Sequence, residues 1–173
     1  MQTPNILANT SYELYLETFQ ELYEHSIWVI EKSYEEVKNN SLYDNLESFH
    51  LLLSNIVLDA SKDLQMSLIK AHPMLAGKKA QKNELTDFST QEQKSAGLNT
   101  CTSEEIQLFE KLNSEYFKKF DFPYILAVKG RNKKQIIENF QSRLNNSFEE
   151  EKKEALNQIN QIGLLRIKDI YEQ

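Results

Sequence analysis

Apolar residues in the first half of this chain return every three or four positions, the period that gathers them on one face of an α-helix. Tyr12, Tyr15, Leu16, Phe19, Leu22 and Tyr23 make the first such stripe. A second helix is predicted to start at Ser26, to carry Ile27, Trp28, Ile30 and Val37, and to end before Asn39-Asn40. Leu46, Phe49, Leu52, Leu53, Ile56 and Val57 form a third stripe, and Leu64, Met66, Leu68 and Ile69 a fourth. The fourth stops near His72-Pro73, because proline disfavours the α conformation in the residue before it.

No period persists from Met74 to Phe88, where Gly77 and three lysines read as a surface loop. Further on, a hydroxyl followed three positions later by Glu predicts capping-box helix starts at Ser89 with Glu92, Thr102 with Glu105, and Ser147 with Glu150. The helices they open are placed near 90–96, 103–119 and 148–171. Another, about 132–145, follows a turn at Lys129-Gly130 and carries Ile136, Ile137, Phe140 and Leu144. Phe122-Pro123-Tyr124-Ile125-Leu126-Ala127-Val128 is continuously apolar and contains a proline, which predicts a buried extended segment. The expectation is therefore an all-α, single-domain helical bundle of about seven to eight helices over residues 1–173, with one buried extended segment near 122–128. No repeat, low-complexity tract or linker divides the chain.

Four glycines and three prolines in 173 residues leave few obligatory turns, which agrees with long helices rather than many short strands. A chain of this length can bury a core without disulfides or metals. The one cysteine, Cys101, has no intrachain partner, the first residues lack a basic-then-apolar leader pattern, and Tyr171-Glu172-Gln173 is not a peroxisomal address. A reducing, cytoplasmic setting is expected. The apolar runs fall short of the roughly 20 residues that span a bilayer, so no membrane partner is expected. A net charge of −6 disfavours nucleic acid. The charge is uneven, however: Lys70 to Lys134 holds twelve Lys and Arg against eight Asp and Glu, a locally positive stretch that reads as solvated surface lysines or, less simply, as a draw for a small anion.

His25, His50, His72 and Cys101 lack zinc-ligand spacing, and the acidic residues lack a calcium-loop pattern, so no metal is expected. Ala76-Gly77-Lys78-Lys79 fails as a phosphate loop, having neither the earlier glycine nor the hydroxyl after the lysine. Cys101 has no mapped base that would make it a nucleophile. What stands out is His72, a titratable imidazole at a proline-marked helix end, with Glu92 at a helix start twenty residues on: a layout for acid/base chemistry without a metal. Taken singly, each has an ordinary explanation. A histidine at a helix end can bond a carbonyl, a capping box accounts for Glu92, and Arg166, beside Ile162, Leu165 and Ile170, can snorkel from a core-facing position.

Together these residues sit in a longer pattern: Glu24-His25-Ser26-Ile27-Trp28, Ala71-His72-Pro73-Met74-Leu75-Ala76-Gly77-Lys78, Ser89-Thr90-Gln91-Glu92-Gln93 and Ala96-Gly97-Leu98. It continues through Phe109, Leu112-Asn113, Tyr116, Lys119-Phe120, Phe122-Pro123-Tyr124-Ile125, Val128-Lys129-Gly130-Arg131 and Arg143-Leu144 to Ile162–Asp169. In order and spacing, from about residue 12 to the C-terminus, the pattern resembles the 2-oxo-4-hydroxy-4-carboxy-5-ureidoimidazoline (OHCU) decarboxylase family of urate degradation. The resemblance implies an all-α fold, a homodimer, no cofactor, and decarboxylation of that ureide to (S)-allantoin. By the same resemblance His72 is the catalytic histidine, Glu92 the active-site carboxylate and Arg166 the substrate-binding arginine. Pro73, Ser89, Thr90, Gln91, Gln93, Tyr124, Ile125, Leu126, Ala127 and Val128 fall in its substrate-contacting stretches. Two departures are mild: Met74 stands where an acidic or basic residue is common, and Phe120-Asp121-Phe122 replaces a glycine-containing version. The reading from another class is a non-catalytic helical binding module for a ureide or a protein partner, in which the same residues are caps and surface charge.

Overall fold

The computed structural model describes residues 1–77 and 85–172. All regular structure among them is helical: α1 (Pro4–Thr10), α2 (Tyr12–Phe19), α3 (Trp28–Asn39), α4 (Leu46–Leu58), α5 (Lys62–Ala71), α6 (Asp87–Ser95), α7 (Ser103–Phe120), α8 (Lys133–Arg143) and α9 (Phe148–Tyr171). Single 3₁₀ turns lie at Ser41–Asp44 and Leu98–Thr100. The all-α expectation holds, with one helix more than the upper count. The addition is α1, a two-turn helix opened by Pro4, whose ring pre-sets the first helical φ. Residues 78–84 of the expected 74–88 loop lie outside the described residues.

The chain gathers into two compact units, Met1–Ala71 with the residues from Asn160 onward, and His72–Ile159. In the first, Tyr15, Phe19 and Phe49 form an aromatic cluster, Tyr15–Phe19 at 5.1 Å and Phe19–Phe49 at 4.9 Å between ring centres. Two expected boundaries move. The stripe through Tyr23 is helical only to Phe19; Leu22 and Tyr23 are buried from a turn that reverses at His25, which adopts φ 48°. The second helix opens at Trp28 rather than Ser26 and buries Val29, Ile30, Ser33 and Val37, leaving Ile27 exposed and Trp28 half-buried.

In the second unit Tyr116 packs edge-on to Phe122, Tyr124 and Phe140, with ring centres 5.5–5.9 Å away. Tyr124 stacks on Phe140 at 3.7 Å. Edge-to-face pairs of this kind add a little beyond the area they bury. Residues 122–128 are buried and non-helical, as the continuous apolar run predicts. The reversal that feeds them is Asp121, the C-cap of α7, at φ 58°. That is the left-handed region where glycine is cheapest and Asp or Asn tolerable, so Asp121 makes the reversal without a glycine.

Candidate functional site

The end of α5 is set by Pro73: helix stops at Ala71, and His72 follows with only 8% of its surface exposed. The chain then passes through Ala76 at φ 49°. This turn is held at one peptide unit. The Leu75 C=O accepts from Asn113 Nδ2 on α7 (2.9 Å), and the Ala76 N–H donates to Gln93 Oε1 on α6 (3.0 Å). Two amide side chains thus grip both faces of the 75–76 peptide, replacing the helical bonds that Pro73 ended. Gln93 Nε2 and Asn113 Oδ1 are buried and have no hydrogen-bond partner among the described residues.

Helix α6 corrects one sequence expectation. Its N-cap is Thr86, whose Oγ1 accepts from the Ser89 N–H at 3.4 Å, and Ser89 lies inside the helix. The Ser89–Glu92 capping box is therefore absent, and capping does not account for Glu92. The other two boxes form: Thr102 with Glu105, and Ser147 with Glu150. A third, Asn132 with Gln135, opens α8. Ser89 and Gln93 face inward on α6, Glu92 is half-buried beside that face, and Thr90 and Gln91 are exposed. The structure thus ties the His72 turn to the helix carrying Glu92, through Gln93.

Among the described residues the 122–128 strip has no ladder partner, and side chains satisfy part of its peptide groups. Arg143 donates to the Ile125 C=O (2.5 Å), Arg131 Nε to the Ala127 C=O (3.1 Å), and Gln158 Oε1 accepts from the Ala127 N–H (3.0 Å). Among the described residues none accepts from the N–H groups of Tyr124, Ile125, Leu126 or Val128. Arg143 is itself fixed by Glu151, with Nε at 2.7 Å and Nη2 at 2.5 Å from Oε1. Tyr116 Oη donates to the same oxygen, and Asn146 Nδ2 donates to Oε2 at 2.8 Å. Burial first, and then the Glu151 carboxylate, push the Tyr116 hydroxyl far above its ordinary pKa, so it remains a donor.

Arg166 belongs to the first unit. It is 1% exposed, so the snorkelling explanation does not hold. Its guanidinium donates to the Glu21 C=O (2.8 Å) and pairs with the buried Glu24 carboxylate, both terminal nitrogens lying 3.1 Å from Oε2. Sequence reasoning gave no role to Glu24, Asn113, Arg143, Glu151 or Gln158. The only signal was that Glu24, Asn113 and Arg143 lie in the quoted motifs while being polar residues next to apolar ones. Nothing local connects Glu24 to a partner 142 positions away.

A family model for OHCU decarboxylase matches residues 8–168, and the chain belongs to the OHCU decarboxylase family. Among curated relatives it is 37% identical to the uric acid degradation bifunctional protein PucL of Bacillus subtilis, over 89% of this chain and 30% of that protein. It is 31% identical to a 2-oxo-4-hydroxy-4-carboxy-5-ureidoimidazoline decarboxylase of Haloferax volcanii, over 96% of this chain and 93% of the relative. The chain thus spans about three tenths of the bifunctional protein and nearly the whole of the archaeal one. Among solved structures, one described as (S)-allantoin synthase superposes with a TM-score of 0.75 at 24% identity, covering 98% of this chain and 54% of that one. Another, described as OHCU decarboxylase in the presence of (S)-allantoin, gives 0.61 at 20% identity, over 73% and 82%. At these identities the two structures speak for the fold.

Proposed function

We propose that this protein catalyses the cofactor-independent decarboxylation of 2-oxo-4-hydroxy-4-carboxy-5-ureidoimidazoline to (S)-allantoin. In this reaction the bond between the ring carbon and its carboxylate breaks and CO2 leaves. The electron pair passes into the neighbouring C=N, the hydroxyl on the carbon that lost CO2 gives up its proton to become a carbonyl, and a proton delivered to one face of the adjacent ureido-bearing carbon sets the configuration. The substrate's own ring is the electron sink, so no pyridoxal- or thiamine-like group is called for. The protein's share is to hold the ring, meet the developing charge with fixed donors and deliver one proton.

His72 handles the substrate hydroxyl or the returning proton, since an imidazole can both accept and donate one. Glu92 orients the ureido group or the imidazole by accepting hydrogen bonds. Arg166 binds oxo or ureido oxygens rather than the departing carboxylate, since gripping the latter would favour the ground state over a transition state that is losing its localised charge. Glu24 already balances this guanidinium, which lessens its pull on any single anionic group. In the 124–128 strip, apolar side chains exclude water and raise the worth of each polar contact. Pro73, Ser89, Thr90, Gln91 and Gln93 complete the substrate-contacting set of this reading, with the Gln93 Nε2 donor buried and uncommitted among the described residues.

The observation that carries the reading is the 3.0 Å Gln93–Ala76 hydrogen bond, which fastens the turn after His72 onto the helix of Glu92 in a chain of this family. A cytoplasmic homodimer belongs to the same reading, and sedimentation at micromolar protein tests the dimer. The function is tested by generating the ureide freshly from urate and following optical activity. Rapid appearance of one allantoin enantiomer, only with protein present, is the expected result. A racemic product at the spontaneous rate would instead favour the binding module.

A further inference from the structure

The buried Arg143–Glu151–Tyr116 network does more than fill the core of the second unit. From its geometry we infer that Arg143 is a positioning residue: its grip on the Ile125 carbonyl aims the Leu126 N–H as a hydrogen-bond donor to the anionic oxygens of the ureide. The inference rests on the proposed decarboxylase function.

A trans peptide is planar, and its C=O and N–H point to opposite sides. The structure contains no cis peptide bonds among the described residues. Fixing the Ile125 C=O toward Arg143 at 2.5 Å therefore turns the Leu126 N–H, in the same peptide plane, to the side away from the guanidinium. The same rule applies two residues on. Arg131 holds the Ala127 C=O, which turns the Val128 N–H away from Arg131. Gln158 takes the intervening Ala127 N–H, so that donor is spent. Of the strip's N–H groups only that of Ala127 has an acceptor among the described residues, and Leu126 and Val128 are the two unengaged ones whose partner carbonyls an arginine holds.

An arginine is suited to this task because its planar fork bonds a carboxylate and a carbonyl at once. Arg143 donates Nε to Glu151 and Nη1 to the Ile125 carbonyl, with Nη2 2.5 Å from the same Glu151 oxygen in the ion pair, while its guanidinium carbon sits 4.6 Å from the centre of the Tyr124 ring. Tyr116 and Asn146 in turn fix Glu151. The guanidinium that holds the Ile125 carbonyl is therefore itself held, through Glu151, from two further side chains. A buried backbone N–H left without a protein acceptor is uncommon, and one aimed by a rigid support is the arrangement expected of a donor kept for a ligand.

The test compares wild type with Arg143→Lys, which keeps a charge beside Glu151 but cannot reach both it and Ile125, and with Gln158→Leu, which releases the next peptide unit. Each variant is checked for helical content and melting temperature, then assayed on freshly generated ureide, with (S)-allantoin as an NMR probe of the Leu126 amide. For Arg143→Lys the inference predicts a fall in kcat on the order of 10- to 100-fold with KM changed less. It also predicts loss of the allantoin-induced shift of the Leu126 amide that wild type shows. Gln158→Leu should show a smaller fall in the same direction, and it carries the test if Arg143→Lys does not fold. A folded Arg143→Lys with wild-type kcat, or a wild-type Leu126 amide indifferent to allantoin while the protein turns over, overturns the inference alone. Wild type without turnover overturns the function it rests on, and the inference with it.

Discussion

Two arginines are buried against a glutamate in this protein, and they are held by different means. Arg143 meets a carboxylate eight positions along the chain and uses its remaining reach to hold a non-helical carbonyl. Arg166 meets one 142 positions away, in a turn made possible by the left-handed His25, and holds a carbonyl of that same turn. The first has its charge paired with Glu151 and one nitrogen on the Ile125 carbonyl of the 122–128 strip. The second is the guanidinium to which a substrate role is assigned, and it arrives already neutralised. On the proposed function, an arginine that binds substrate thus need not be an unbalanced one. Glu24 keeps the guanidinium buried and paired, and substrate would add to that existing pair.

The largest effect expected of this contrast comes from breaking the long-range pair. Glu24→Met leaves a buried guanidinium without its carboxylate and should lower stability by about 3–5 kcal/mol. Arg166→Met should do likewise, in addition to weakening substrate binding. The double variant Glu24→Met/Arg166→Met should recover most of the lost stability but not KM. Urea denaturation of all four proteins gives the coupling; additive losses would mean the two groups do not share one interaction.

A smaller loss, about 1–3 kcal/mol each, is expected of Gln93→Leu and Asn113→Leu, which strip one partner from the 75–76 peptide. Because both grip one peptide plane, their effects should not add, and a thermal melt of the double variant shows this directly.

The sequence made the regular parts of this architecture readable, and the reasons are local. The span of α9 agrees with its predicted range because Ser147 and Glu150 satisfy each other within one turn, and α5 ends where Pro73 demands. Where several local signals competed, the choice failed. Thr86, Ser89 and Thr90 all offer caps, and the box pattern selected Ser89, whereas the helix begins at Thr86, which has no Glu three positions later. Leu22 and Tyr23 kept the helical period yet lie in a turn, since their burial is decided by packing and not by their neighbours in sequence. The buried extended strip was legible from its apolar run, but the side chains that satisfy it were not. Arg143, Gln158 and Arg131 reach it from other elements, and no spacing rule encodes those distances. Motif resemblance picked out His72, Glu92 and Arg166; it was silent on Glu24, whose part follows only from coordinates.

A pH effect of modest size should separate the first unit from the second. His50 bonds the Asn160 C=O at 2.8 Å, and its pKa lies below the ordinary value, mainly through burial, with Lys168 adding to the fall and the Asn160 bond opposing it. A histidine depressed in the folded state binds fewer protons there than when unfolded. Its contribution is complete above the unfolded value of ~6.5 and is lost as pH falls below it toward the lower folded pKa. His50→Gln should flatten the decline in melting temperature between neutral and mildly acidic pH; an unchanged slope would place the effect elsewhere.

The smallest change concerns the entry to the strip. Asp121→Gly relieves the left-handed backbone at φ 58° but loosens the unfolded chain, so stability should move by no more than about 1 kcal/mol. Asp121→Val, β-branched in the same conformation, should destabilise by more than the glycine variant. Equal melting temperatures for the two would contradict the backbone argument.

The most direct measurement on the central claim is the initial rate of (S)-allantoin formation, followed by circular dichroism on freshly generated ureide, for wild type and His72→Asn side by side. The account predicts fast, enantiomerically pure product from wild type. His72→Asn should give only the slow racemic background while keeping the helical spectrum. Near-normal stereospecific turnover in the asparagine variant would contradict it.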